Sequence, residues 1–309
     1  MTLAQDKPAT TIGFVGLGGM GSAMVGRLLE SGYDVVVWNR SNEPTARVVE
    51  LGARAADDVA EVLQTGSVFS MLAHDKAFRS IFTPAVLADA PAGCIHANMA
   101  TVSVAAGEEF ANLHRAAGVG YLAAPVLGRP PVAAAGQLNI MVGGDPDLLE
   151  SIRRPLDILA KRVWHVGDTP AAANTAKIGI NYLIIHALQA MAESITLAEK
   201  SGIDPTLFVE LLSNTLFPGP VYSGYGGMMA ESRYTPAGFT TTLGLKDLNL
   251  ARAAAQSVGV VLPTGDLLSE LFSDAVDRGA DLDWASIAEV TRHKATASTA
   301  LPVDSPQAG

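Results

Sequence analysis

The sequence predicts an α/β N-terminal domain built on an open, mostly parallel sheet, then an all-helical C-terminal domain, the two joined by a long interdomain helix. Three observations predict it. Short apolar, β-prone runs alternate with helical periodicities as far as Gly167, the pattern of strands and helices layered on one sheet. From about Pro170 the pattern is helical, and its first stretch carries Ile184, Ile185, Leu188, Met191 and Ile195 at helical spacing. The chain has 309 residues, 49 % apolar and 17 % charged, whereas ordinary domains run to roughly 100–200 residues and disordered chains are far more polar. The expected division is a mobile lead over 1–10, an α/β domain over 11–168, a helical domain over 169–297 and a mobile tail over 298–309.

The elements follow in order. Thr11-Ile12-Gly13-Phe14-Val15 is short, apolar and β-prone. Behind it Met24, Leu28 and Leu29 share one face of a helix that Ser31-Gly32 stops. Tyr33 to Trp38 reads as a second buried strand, which completes a β-α-β unit of about thirty residues. Further strands are expected over 67–72, 93–98, 120–126 and 138–144, with helices over 43–51 and 104–117. The long helix begins near Pro170 and ends at Ser201-Gly202, and shorter helices follow over 204–216, 247–257, 264–277 and 284–293. The segment 218–238, rich in Gly, Pro and Tyr, reads as loops beside a shorter helix.

Composition excludes some partners. With 31 acidic against 21 basic side chains the net charge is −10, which repels phosphate backbones and anionic lipid, so neither nucleic acid nor membrane is an expected partner. No apolar run approaches the roughly 18–20 residues of a membrane span, and residues 1–10 lack the apolar core of a signal peptide. The one cysteine, Cys94, has no partner for an intramolecular disulfide. The histidines are scattered, and no Cys/His cluster has zinc spacing, so no metal is expected. A cytoplasmic protein is the expectation.

Between the first strand and its helix stand Gly16-Leu17-Gly18-Gly19-Met20-Gly21. Glycine is frequent here, so the spacing alone says little. Its place after a strand and before a helix makes it a Rossmann-type dinucleotide-binding turn. Gly16 permits the tight turn, Gly18 lets backbone approach a pyrophosphate, and Gly21 lets helix and strand pack closely, while the helix N-terminus offers N–H groups to the anion. At the end of the second strand an NAD site normally places Asp or Glu, roughly 20 residues beyond the glycines. Here Asn39-Arg40-Ser41 stand there, and no carboxylate comes before Glu43. Arg40 suits a 2′-phosphate by pairing and stacking, with Asn39 and Ser41 as donors. NADP(H) is the expected cofactor, against the plainer reading of Arg40 as a solvated side chain.

Three more motifs follow: Ala124-Pro125-Val126-Leu127-Gly128-Arg129 with Gly136-Gln137-Leu138, then Lys177-Ile178-Gly179-Ile180-Asn181, then Lys246-Asp247-Leu248. With these, from about Ile12 to Lys294, the chain resembles the β-hydroxyacid dehydrogenase family, which includes 3-hydroxyisobutyrate dehydrogenases and glyoxylate/succinic semialdehyde reductases. It is also similar to the related imine reductases. The resemblance implies an NADPH-dependent oxidoreductase that moves hydride between the nicotinamide and a small carbonyl, hydroxy-acid or imine substrate. It implies that Met20, Met71, Leu72 and Ala73 lie near the dinucleotide, with Lys246 on the cofactor side of the site. Leu127, Gly128 and Arg129 would then surround substrate. Tyr222, Tyr225 and Phe239 lie in a segment that either lines the substrate pocket or packs. The apolar helical stretch from Ile178 to Ile195 exceeds what one small helical domain should bury alone, so a homodimer is expected.

Lys177 and Asn181 stand four apart and share one helix face. Hydride delivery to a carbonyl leaves an alkoxide, and a lysine ammonium both stabilises that charge and donates the proton. Asn181 would orient substrate or lysine. The plainer reading is a solvated lysine near a helix start and an asparagine satisfying buried backbone; the order of the four motifs favours the catalytic one. Lys246-Asp247 has a local reading too, Asp247 as a first-turn charge and Lys246 as solvated.

The chain departs from the family most in the second motif. The usual pattern begins Asp-Ala-Pro-Val-Ser-Gly-Gly, and its Ser-Gly-Gly is implied to hold the substrate carboxylate. Here Ala123 replaces the Asp, Leu127 the Ser and Arg129 the second Gly, and Val132 stands where a further Gly is common. Ala171 and Ala173 also replace frequent glycines. Leu127 makes that wall apolar; Arg129 either restores anion binding or points away over the surface. The apolar wall motivates an imine reductase as the alternative, against which Lys177 argues, because such enzymes commonly carry Asp or Tyr at the matching position. A dinucleotide-binding module without catalysis is a third reading, and the retained lysine argues against it.

Overall fold

The computed structural model describes residues 11–299; the lead expected over 1–10 and residues 300–309 of the tail expected from 298 lie outside the described residues. The chain divides into two compact units, the first ending at Ile178 and the second starting at Gly179. The helix Pro170–Lys200 runs through that boundary.

Among the described residues, nine strands form the sheet of the first unit. Strands β1 (Thr11–Val15), β2 (Asp34–Trp38), β3 (Arg54–Ala55), β4 (Ser67–Ser70), β5 (Ile95–Asn98) and β6 (Gly120–Ala123) lie parallel in the order β3-β2-β1-β4-β5-β6. That is the doubly wound order in which ligands bind beyond the carboxyl ends of the strands. β7 (Val126–Leu127) and β8 (Leu138–Gly143) extend the sheet, with β8 antiparallel to β6 and β7, and β9 (Ala160–Gly167) pairs with β8 in parallel.

β3 and β9 lie outside the sequence expectation, for one physical reason. β9 carries Lys161, Arg162, Trp164 and His165 on an exposed surface and has no apolar alternation to betray it. Its backbone ladder with β8 makes it a strand, and the Arg162 guanidinium lies 3.6 Å from the centre of the Trp164 ring. The helix expected from Asp247 begins at Thr241, where Thr240 Oγ1 accepts from the Leu243 N–H at 3.3 Å. Asp247 is therefore a buried residue inside that helix and not a first-turn charge.

Each face of the sheet has its own core. Ile12, Phe14, Phe69 and Ile140 pack under the helix Gly19–Glu30 through Met24, Val25 and Leu28. On the other face Val15, Val68, Phe78, Phe82, Phe110 and Tyr121 form a second core. The helical unit buries Ile185, Leu188, Met191, Ile195, Phe272 and Trp284 together. Cys94 is a buried free thiol that burial pushes up to about 11. No described helix is long and apolar enough to cross a membrane.

The second core holds His96 and His114 among Phe78, Phe82 and Phe110. Burial, and after it the neighbouring His114, pushes His96 well below its ordinary range; burial pushes His114 down to about 4, against a smaller upward pull from the Phe110 carbonyl. An unfolded histidine titrates near ~6.5, so the unfolded chain binds the extra protons first. The resulting stability is full above that pH and is lost as pH falls through about 4, about 3 kcal/mol for His114 alone. Melting temperature is expected to fall clearly between pH 7.5 and pH 5. A flat profile would contradict neutral, buried rings.

Candidate active site

The glycine turn is built for close approach. Gly16 has φ +97° and donates its N–H to the Trp38 carbonyl at 3.0 Å. A Cβ on Gly16 would lie 2.5 Å from the Met71 carbonyl oxygen, and one on Gly21 would lie 2.0 Å from the Gly16 carbonyl oxygen. Over Gly18 the space is open to 4 Å, and Gly18 caps the helix Gly19–Glu30 without any side-chain cap. The first N–H groups of that helix are thus left for an anion, as a dinucleotide pyrophosphate requires.

Leu17 and Asn39 serve differently from the expectation. Leu17 is fully buried, its N–H donates to Asn39 Oδ1 and its carbonyl accepts from Ser22 Oγ, both at 2.9 Å. Asn39 Nδ2 donates to the Ser41 carbonyl and to Ser41 Oγ, each at 3.0 Å. The Asn39 amide therefore ties the glycine turn to the end of β2 instead of pointing donors outward. Arg40 is exposed and makes no hydrogen bond or ion pair among the described residues. Glu43, the nearest carboxylate in sequence, is bound to Arg47 at 2.7 Å.

The fold brings the second motif to this turn: a Cβ on Gly19 would lie 3.6 Å from Pro130. Leu127 and Arg129 are half-buried, Gly128 is exposed with φ +146°, and Arg129 precedes the helix Pro130–Ala134. A Cβ on Gly128 would meet Leu138 at 2.6 Å and Val132 at 3.1 Å, so this turn rests on apolar side chains. Met20 is half-buried and packs against the core under the turn; Met71 and Leu72 are half-buried and Ala73 exposed at the end of β4.

Lys177 is only 9 % exposed, which removes the solvated-lysine reading. On the next turn of the same helix Asn181 is also buried, and its Nδ2 donates to Asp247 Oδ2 at 2.5 Å. Lys246 Nζ lies 3.2 Å from Asp247 Oδ1. Asp247, 1 % exposed, thus joins Asn181 and Lys246. Phe239 is half-buried and packs on Trp284 with ring centres 4.6 Å apart, so packing accounts for it within its unit.

The family description "NAD binding domain of 6-phosphogluconate dehydrogenase" matches residues 11–167, and "NAD-binding of NADP-dependent 3-hydroxyisobutyrate dehydrogenase" matches 171–291. The chain belongs to the β-hydroxyacid dehydrogenase family. Members of this family are NAD(P)-dependent oxidoreductases. The chain is 39 % identical over 280 residues to uncharacterized oxidoreductase YfjR of Bacillus subtilis, covering 89 % of this chain and 98 % of that one. It is 32 % identical over 293 residues to glyoxylate/succinic semialdehyde reductase 2 of Arabidopsis thaliana, covering 93 % and 81 %. Among solved structures, 3-hydroxyisobutyrate dehydrogenase of Mycobacterium tuberculosis with L-serine superposes with a TM-score of 0.84 at 28 % identity, covering 92 % and 99 %. An imine reductase from Pseudomonas sp. shares the fold, with a TM-score of 0.61 at 22 % identity over 92 % and 99 % of the two chains.

The β-hydroxyacid dehydrogenase motifs therefore assemble in two groups. The glycine turn, Asn39-Arg40-Ser41, Met71-Leu72 and the start of the helix after Arg129 meet in the first unit. Asn181, Lys246 and Asp247 meet in the second. The Asp247 anchor lies 66 residues from Asn181, and only its place directly after Lys246 marked it in the sequence.

Proposed function

We propose that this member of the family is an NADPH-dependent reductase that interconverts a small carbonyl compound and its alcohol, with Lys177 as proton donor. One observation carries the reading: a buried lysine stands one helical turn before an asparagine whose amide is held by a buried carboxylate. When bound, the dinucleotide supplies the hydride. Gly16, Gly18 and Gly21 with the helix N-terminus hold its pyrophosphate, and Arg40 reads the 2′-phosphate. Lys177 stabilises the developing alkoxide and gives it a proton. Asp247 fixes one end of the Asn181 amide, which orients its other end.

A second reading, reduction of a C=N group as in an imine reductase, is favoured by Leu127 and the apolar turn beneath Gly128. An NADPH-oxidation screen pairing aldehyde acids, apolar aldehydes and cyclic imines tests both. Turnover of a carbonyl compound is the expected result. Activity confined to imines would overturn the first reading.

The helical unit supports a homodimer. Leu183 and Leu197 on the long helix are 69 % and 70 % exposed and Leu216 is 84 % exposed, with Leu207 and Leu211 exposed nearby. Leucines exposed to this degree on the long helix and the helix that follows it accord with such an interface. Light scattering at micromolar concentration is expected to give twice the chain mass; a monomer would refute it. A reducing compartment, most simply the cytoplasm, accords with the lone thiol of Cys94.

A further inference from the structure

Five buried polar side chains run through the second core, apart from the Lys177 chemistry. His114 Nδ1 lies 2.7 Å from the Phe110 carbonyl oxygen. A carbonyl only accepts, so Nδ1 carries the proton and Nε2 of the neutral ring is an acceptor. His96 Nδ1, 2.8 Å away, must donate to it. That leaves His96 Nε2 to accept from Ser70 Oγ at 2.8 Å. Both rings are thereby locked as Nδ1–H tautomers. The single Ser70 hydroxyl hydrogen is taken up by His96 in preference to Asn98 Oδ1, 3.4 Å away. Asn98 Oδ1 accepts from the Ala100 N–H at 3.1 Å, and Asn98 Nδ2 donates to the Tyr121 hydroxyl at 3.0 Å.

The chain ends at the cofactor side of the sheet. Ser70 and Asn98 are the last residues of β4 and β5. Met71, which follows Ser70, sets its carbonyl against Gly16, and the Met71 N–H donates to the Val15 carbonyl at 2.9 Å. We propose that the His114–His96–Ser70 relay is a positioning device for the dinucleotide, fixing the end of β4 and with it the Met71–Leu72 wall of the glycine turn. A buried hydroxyl without an acceptor is costly. Losing either partner of the Ser70–His96 bond removes the 2.8 Å side-chain tie between the end of β4 and His96 of β5, and so loosens the end of β4. The inference rests on the cofactor reading but not on the choice of substrate.

Two substitutions separate positioning from packing. His96→Phe keeps a ring beside Phe78 and Phe82, whose centres lie 5.5 and 4.2 Å from that of His96, and removes the acceptor. His96→Gln loses the ring but keeps an acceptor for Ser70. NADPH fluorescence titration is expected to show affinity lowered about five- to tenfold in His96→Phe, the effect of one buried hydrogen bond. In His96→Gln it stays near wild type although that variant melts lower, and kcat at saturating NADPH is nearly unchanged in both. Ser70→Ala, which removes the same bond with little change in packing, should weaken NADPH as His96→Phe does. Affinity that instead follows melting temperature across the three variants would overturn the proposal. So would a ¹⁵N spectrum of the wild type showing His96 protonated at Nε2. A wild type that binds neither NADPH nor NADH would overturn the cofactor reading and this inference with it; wild-type binding unchanged in Ser70→Ala and His96→Phe overturns this inference alone.

Discussion

Lys177→Ala is expected to lower turnover by about 100-fold or more, the range for a positioned acid–base group, while leaving NADPH affinity nearly unchanged. The two effects separate because the glycine turn and Arg40 are proposed to hold the phosphate end of the dinucleotide, whereas Lys177 is proposed to act on substrate at the nicotinamide end. Lys177 is buried, and Asn181 on the following turn is anchored by Asp247. Lys177→Arg should not restore activity: a guanidinium keeps the charge but yields no proton near neutral pH. Steady-state kinetics across pH, with fluorescence titration of NADPH, checks both parts. Near-normal turnover with an unaltered pH profile in Lys177→Ala would rule the lysine out as the acid and turn attention to Tyr222 and Tyr225.

Arg40→Ala is expected to remove the preference for NADPH over NADH. A charge-assisted contact to a phosphate is worth about 1.5–3 kcal/mol, and exposure with salt screening places the loss at the lower end. NADPH affinity should therefore fall about tenfold, more at low salt, with NADH affinity unchanged. The structure supports this because Arg40 is exposed and Glu43, the nearest carboxylate in sequence, is already tied to Arg47. Titrating both cofactors against both proteins decides it. Equal wild-type affinities, or a loss that does not discriminate, would sink the NADP assignment.

What the sequence determined by itself is local or periodic. The glycine turn is legible because strand, turn and helix are contiguous, and each glycine answers to backbone sterics within a few residues. The parallel sheet and the helical half are legible because burial on two faces, or on one stripe, writes apolar runs and helical periods into the chain. Four short motifs in order sufficed for the family. The tertiary structure alone decided which polar groups meet. Asn39 looked like a phosphate donor until the fold turned its amide onto Leu17 and Ser41. Asp247 looked like a helix-start charge until Thr240 began the helix earlier and buried it beside Asn181. Histidines 18 residues apart became one relay because neighbouring elements of the sheet layer set them side by side. β9 became a strand through its ladder with β8, which its own side chains do not encode. Hydrogen-bond partners chosen across such separations depend on how elements dock, and docking is set by the whole core and not by the residues that flank each group.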